Sequence, residues 1–277
     1  MAAPLNQVFF PVSFHELFSA WNRFPEAVPY AGGTNLIVKQ EENGNSAQPI
    51  FLCLDKLDDL HRITRTEQYL EIGSMVNLNK LTRLGTIVPE IFCTCLENIA
   101  GVQLRNIATI GGNICNTSRL LDLPAPLIAL DAQYELRNAH STRWVSASRF
   151  HSTEEHTVLK AQELLTRVRL PLYQWDYSIY KKFYGEDIFH SELLVFLAKA
   201  QKSVLTDIRV VYKAKIILRN KKGEDILNGK FLPLSRKTAD DFIGSWQEFL
   251  SQRKDVSEFS KNTLLHSIEE NVIYLSE

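Results

Sequence analysis

The sequence predicts an α+β fold laid out as three consecutive units, residues 1–58, 59–172 and 173–277. Three observations predict it. Short apolar runs rich in Val, Ile and Phe recur along the chain, segments of helical periodicity stand between them, and 277 residues, 45% of them hydrophobic, suffice for two or three compact units.

In chain order, PVSFHELFSAWNRF places Phe14, Leu17, Phe18 and Trp21 at helical spacing behind Ser13, a suitable N-cap, so a helix is expected over 13–23. AVPYAGG and PIFLCLDKL suit buried strands, with the polar turn EENGNSAQ between them. The run LHRITRTEQYLEIGSMVNLNKL contains two strand-like pieces, then Asn77 as cap of a short helix through Leu84, and a second helix is expected over Pro89–Ala100. APLIALDAQYELRN and the stretch to LLTRVRLP are expected as strands. In the last third, SELLVFLAKAQ and DIRVVYKAKIIL suggest a small sheet, with DDFIGSWQEFL and NTLLHSIEENVIYL as the helices backing it.

Composition narrows the function. A formal net charge of -1 supplies no general attraction for nucleic acid or an anionic membrane. No apolar run reaches the roughly 18 residues of a membrane span, and the N-terminus lacks a secretory pattern, so a cytoplasmic protein without membrane insertion is expected. Cys53, Cys93, Cys95 and Cys115 form no CxxC pair. Reduced, buried thiols are expected, and no metal site is assigned.

Two glycine pairs remain, in YAGGTNLIVKQ and in NIATIGGNICNTS. Glycine admits backbone conformations closed to other residues and lacks the Cβ that keeps a ligand off the N–H groups, so consecutive amides can converge on an anion. Gly32, Gly33, Thr34 and Asn35 combine main-chain donors with a hydroxyl and an amide, as do Thr109, Gly111, Gly112 and Asn113. Neither string has the spacing GxxxxGK[ST] or GxGxxG, which disfavours a Walker ATPase and an ordinary NAD domain. Each pair alone is more often a structural turn. Together they suit two loops gripping one diphosphate.

YAGGTNLIV resembles the first flavin loop of the FAD-binding subunits of molybdenum hydroxylases, the xanthine dehydrogenase and carbon monoxide dehydrogenase group. LRNIATIGGNICNTSRLLDLPAPLIALDA, Leu104 to Ala132, resembles their second loop, with its R-N-x-A-T-I-G-G-N core, the Asp before a Pro and the closing L-x-A-L-D-A. Glu163–Pro171, Tyr180–Lys182 and Leu227–Lys230 resemble later landmarks. The resemblance implies the two-subdomain FAD domain of the vanillyl-alcohol oxidase (PCMH-like) type, followed by a small C-terminal α/β domain. It further implies that Tyr30, Ala31, Gly32, Gly33, Thr34, Asn35, Leu36 and Ile37, with Thr109, Gly111, Gly112 and Asn113, bind the FAD diphosphate. By the same resemblance Asp122 accepts from sugar or ribityl hydroxyls, the alternative being a turn or capping aspartate before Pro124. Leu164 and Leu165 line the ring or serve only the core, and Lys182 lies near the cofactor. After Lys182 the family's Arg and its Asp-Ile-Ala string are absent.

The implied activity is that of an oxidoreductase flavoprotein subunit. It carries electrons from a [2Fe–2S] subunit, reduced by a molybdopterin subunit, through FAD to NAD+ or another acceptor. Two other readings stay open on the residues: a stand-alone reductase resembling the UDP-N-acetylenolpyruvylglucosamine enzymes, and an assembly protein that kept the fold without the cofactor.

Overall fold

The computed structural model describes residues 7–35, 50–116, 121–151, 157–184 and 191–276. Leu36 and Ile37, and the expected turn EENGNSAQ, lie outside them. The chain begins with β1 (Val8–Phe9), helix α1 (Phe14–Arg23), β2 (Val28–Tyr30) and β3 (Phe51–Cys53). The strands form a parallel sheet in the order β1-β3-β2. Parallel pairing needs a crossover, and α1 supplies it between β1 and β2. Ser13 caps α1, its hydroxyl accepting from Glu16 N at 3.2 Å. The helix buries Leu17, Phe18 and Trp21 in a small core with Leu52, Leu54, Met75 and Leu164.

The second sheet contains β4 (Ile63–Arg65), β5 (Tyr69–Gly73), β6 (Gln133–Arg137), β7 (Thr142–Ser146) and β8 (Leu164–Pro171), all neighbours antiparallel, in the order β4-β5-β8-β6-β7. The strand latest in sequence therefore lies at the centre. Because side chains alternate along a strand, adjacent Leu164 and Leu165 serve different cores, Leu164 that of α1 and Leu165 the larger central one. Packed with this sheet are α2 (Leu78–Thr82), α3 (Glu90–Glu97), α4 (Val102–Ile107), α5 (Ile110–Ile114), α6 (Pro124–Ala129) and α7 (Ala147–Phe150). Asn77 caps α2, accepting from Lys80 N at 2.7 Å.

The third sheet is an antiparallel meander, β12-β11-β10-β9, of β9 (Tyr177–Tyr184), β10 (Ser191–Gln201), β11 (Val204–Lys213) and β12 (Ile217–Arg219). Its unbroken apolar run has a plain cause. Leu193, Val195, Leu197 and Val211 point into the central core, while Leu194, Phe196, Val210 and Tyr212 point into a C-terminal core formed with α8 (Lys221–Leu227), α9 (Arg236–Ser251) and α10 (Glu258–Tyr274). A strand covered on both faces has no polar face to alternate with.

Two expectations are corrected. The start of APLIALDAQYELRN, expected as strand, belongs to the helix Pro124–Ala129: Pro124 sits in its first turn, where a missing N–H costs nothing, and all six residues are buried, so the short apolar run carries no period that separates helix from strand. The second glycine pair is not a loop but the first turn of α5, because Thr109 caps it, accepting from Gly112 N at 3.0 Å.

Candidate functional site

Between the first and second sheets lies a cavity of about 420 Å³ onto which both glycine segments open. The segments are stitched together from behind. Ile110 N donates to Val76 O at 3.0 Å and Gly111 N to Ser74 O at 2.9 Å, fastening the second segment to the chain leaving β5. The first rests against the second at Gly32, where an added Cβ would fall 2.1 Å from the carbonyl oxygen of Ile107. Gly111 is also tightly placed, an added Cβ there falling 2.7 Å from Ser74 Cβ. Gly33 has φ +69°, a left-handed conformation that suits glycine. Asn35 Nδ2 then donates to Asn116 Oδ1 at 3.0 Å, closing the two segments side to side.

This packing decides which donors remain. Gly111 and Gly112 spend their N–H groups on Ser74 and Thr109, and Asn113 N donates to Thr109 O at 3.0 Å. The N–H groups of Gly32, Gly33 and Thr34 donate to no acceptor among the described residues. The first segment is therefore the richer source of main-chain donors. Two buried side-chain atoms on the cavity wall also lack a partner among the described residues, Ser74 Oγ and Asn113 Oδ1. Buried polar atoms are rarely left so without a ligand or water to meet them. Trp21, Met75, Leu164 and Leu165 add apolar wall. Cys115 also lines the cavity, its thiol pushed up to about 12 by burial and hence neutral.

Of the expected site residues, Ala31 through Asn35, Thr109, Gly111, Gly112, Asn113, Leu164 and Leu165 line this one cavity. Tyr30 does not. Its ring packs edge-on against Phe51 with centroids 5.6 Å apart, and its hydroxyl lies beneath Gly33. Asp122 and Lys182 stand outside the lining as well, although Leu121 belongs to it. Lys182 Nζ donates to Asp122 Oδ2 at 2.7 Å, and Lys213 Nζ and Ser191 Oγ each donate to Oδ1 at 3.0 Å. Burial pushes the Asp122 carboxyl up, and Lys213 and Lys182 more than offset it, leaving its pKa below the ordinary value. Leu123, not Asp122, stands at the cap of α6.

Sequence reasoning missed Ser74, Asn116 and Glu163. Asn116 was within reach, since it follows the second glycine pair in a polar run; Ser74 had no signal, being brought in by the turn after β5. Glu163 is 2% exposed at its side chain and accepts from Arg143 Nε and Nη2, both at 2.7 Å, and from Lys160 N at 3.0 Å. Among the described residues no group of three or more His, Cys, Asp or Glu side chains converges on a metal position, and no helix is long and apolar enough to cross a membrane.

A cavity with main-chain donors unclaimed among the described residues, lined by the first turn of a short helix and walled by apolar side chains, suits an α+β domain that holds a nucleotide-type cofactor. Residues 4–173 match the FAD binding domain in molybdopterin dehydrogenase, and the chain belongs to that family of oxidoreductase flavoproteins. It is 27% identical over 244 residues to xanthine dehydrogenase 2 of Arabidopsis thaliana, a match covering 79% of this chain and 18% of that protein. It is 30% identical over 150 residues to the xanthine dehydrogenase FAD-binding subunit of Escherichia coli O157:H7, covering 53% of this chain and 51% of that one. The chain thus matches about half of the bacterial subunit and under a fifth of the plant enzyme. The whole fold is shared with a chain of quinoline 2-oxidoreductase from Pseudomonas putida 86, with TM-score 0.81, 19% identity, and coverage of 100% of this chain and 98% of that one. The wall fits the family's FAD chemically: N–H groups free among the described residues suit anionic oxygens, and Ser74 Oγ and Asn113 Oδ1 are placed to meet polar partners.

Proposed function

We propose that this chain is the FAD-carrying electron-transfer subunit of a molybdenum hydroxylase, acting in the cytoplasm beside a [2Fe–2S] subunit and a molybdopterin subunit. NAD+ or another oxidant takes the electrons. One observation carries the reading: three consecutive amides, Gly32 to Thr34, unclaimed among the described residues, on a cavity that also holds two buried polar atoms without a partner among those residues. FAD supplies the redox chemistry when bound. The chain's own residues bind and orient it. The amides of Gly32, Gly33 and Thr34 hold the diphosphate, with Thr34 and Asn35 side chains and the Thr109–Asn113 turn closing round it. Leu164 and Leu165 keep water from the ring. A division into residues 1–58, 59–172 and 173–277 accompanies this reading, the last unit docking partners.

The purified chain is expected to bind one equivalent of FAD and to reduce an artificial dye slowly with reduced nicotinamide. It is not expected to hydroxylate a heterocycle or aldehyde. Adding the iron–sulfur and molybdenum subunits should permit substrate-driven flavin reduction. Rapid flavin reduction by a purine in the isolated chain, with metals and partners shown absent by mass and metal analysis, overturns the assignment; failure to take up FAD at all removes its basis.

A further inference from the structure

Asp122 is gripped from three adjacent strands of the third sheet: Lys182 on β9, Ser191 on β10 and Lys213 on β11. All three lie beyond residue 173, where the family match ends. A carboxylate offers about four acceptor positions. Oδ1 accepts from Lys213 and Ser191, and Oδ2 from Lys182, so among the described residues three are taken and one on Oδ2 remains. Asp122 has room for one hydroxyl of a ligand, not several. The ammonium groups are placed as firmly: Lys213 Nζ also donates to Ser191 Oγ at 3.3 Å, and Lys182 Nζ to Asn98 O at 3.3 Å.

The charges do not balance. Two lysines face one carboxylate, the lysine side chains being 3% and 19% exposed for Lys213 and Lys182. Of the other titratable groups against them, Cys95 and Tyr180 stay neutral because burial raises both pKa values. Burial lowers the Lys213 pKa from its ordinary value and the Asp122 carboxylate works against that; with both lysines protonated the cluster is, among the described residues, one positive charge in excess, in a medium where charges act over distance far more strongly than in water. Asp122 directly follows Leu121, which lines the cavity.

We propose that Lys213 is a positioning residue of the cofactor site: it fixes the Asp122 carboxylate from the C-terminal sheet, and its charge favours electron uptake by the bound flavin. The proposal rests on the FAD reading above. Reduction adds negative charge to the cofactor, so a nearby buried cation stabilises the reduced form and a nearby carboxylate opposes it. The C-terminal sheet thereby sets a property of a site whose cavity wall comes from the first two sheets.

The experiment is a redox titration of the FAD-loaded full chain, followed at the flavin absorbance against a reference dye, beside thermal melts. Lys213→Met is expected to retain FAD and shift the flavin–dye equilibrium about tenfold toward oxidised flavin, near 30 mV for a two-electron couple. Lys213→Arg should restore it. Asp122→Asn should shift it the other way, although both substitutions lower the melting temperature. If Lys213→Met does not fold, Lys213→Gln and Asp122→Asn carry the same comparison. Lower melting temperatures with unchanged potentials, or shifts of one sign for both charges, overturn the proposal and leave a purely structural clasp. Absence of FAD from the wild-type chain would instead count against the functional reading itself.

Discussion

Replacing Gly32 by Ala tests why the first glycine pair exists. On the sequence, both Gly32 and Gly112 are expected to be bare so that backbone can approach a diphosphate. In the structure Gly32 has a prior obligation, because its Cβ would stand 2.1 Å from Ile107 O and 2.8 Å from Ile107 C. Both are backbone atoms, so no side-chain rotation relieves the clash. The segments must part by more than about 1 Å to reach ordinary contact near 3.5 Å. Overpacking of this kind costs about 1–3 kcal/mol, and a backbone-on-backbone clash belongs at the upper end. At about 2–4 °C per kcal/mol for a chain somewhat under this size, the melting temperature should fall by about 6–12 °C. Gly112 differs. Its Cβ would meet only Thr109 Oγ1 at 3.0 Å, and alanine gains about 0.8–1 kcal/mol over glycine in a helix, so Gly112→Ala should melt near wild type. Calorimetry of both variants without FAD, beside a fluorescence titration with FAD, separates the roles. Gly32→Ala should lose stability and FAD together, whereas Gly112→Ala should lose FAD affinity alone. A Gly32→Ala protein melting within 1 °C of wild type would refute the loop-on-loop argument.

Two further outcomes follow from buried charge. The folded pKa of Asp122 lies below its ordinary value of 3.8, so its contribution is complete above that value and is lost as pH falls through the lower folded one; an acid titration followed by circular dichroism should show Asp122→Asn with a flatter stability profile below pH 4, and an unchanged acid limb would contradict the ion pairs. Arg143→Met should cost about 2–3 kcal/mol in urea denaturation, at or under the low end for a fully buried pair because Arg143 is 35% exposed, since it strands the Glu163 carboxylate with Lys160 N as its one remaining donor among the described residues. An unchanged denaturation midpoint would show that Glu163 finds another partner.

The elements legible in the sequence were those that local chemistry decides. Ser13 and Asn77 cap helices where the sequence places them, because a side-chain oxygen two or three residues ahead of a free N–H needs no tertiary help. The glycine pairs could be picked out because their spacing and small polar neighbours are local facts, and the family match over residues 4–173 agrees with the resemblance those strings carry. What the chain alone did not disclose are contacts between distant segments. The helical state of Pro124–Ala129 depends on burial from all sides. The different cores served by Leu164 and Leu165 depend on β8 lying central in its sheet, and the company of Asp122 depends on strands 60 to 91 residues further on. The sequence by itself singled out two glycine-bearing segments, and both line the cavity. Only the tertiary structure decided that their amides are unequal, those of the second spent on Ser74 and Thr109 and those of the first left free among the described residues, because a backbone donor is committed by whichever acceptor the fold brings within 3 Å of it.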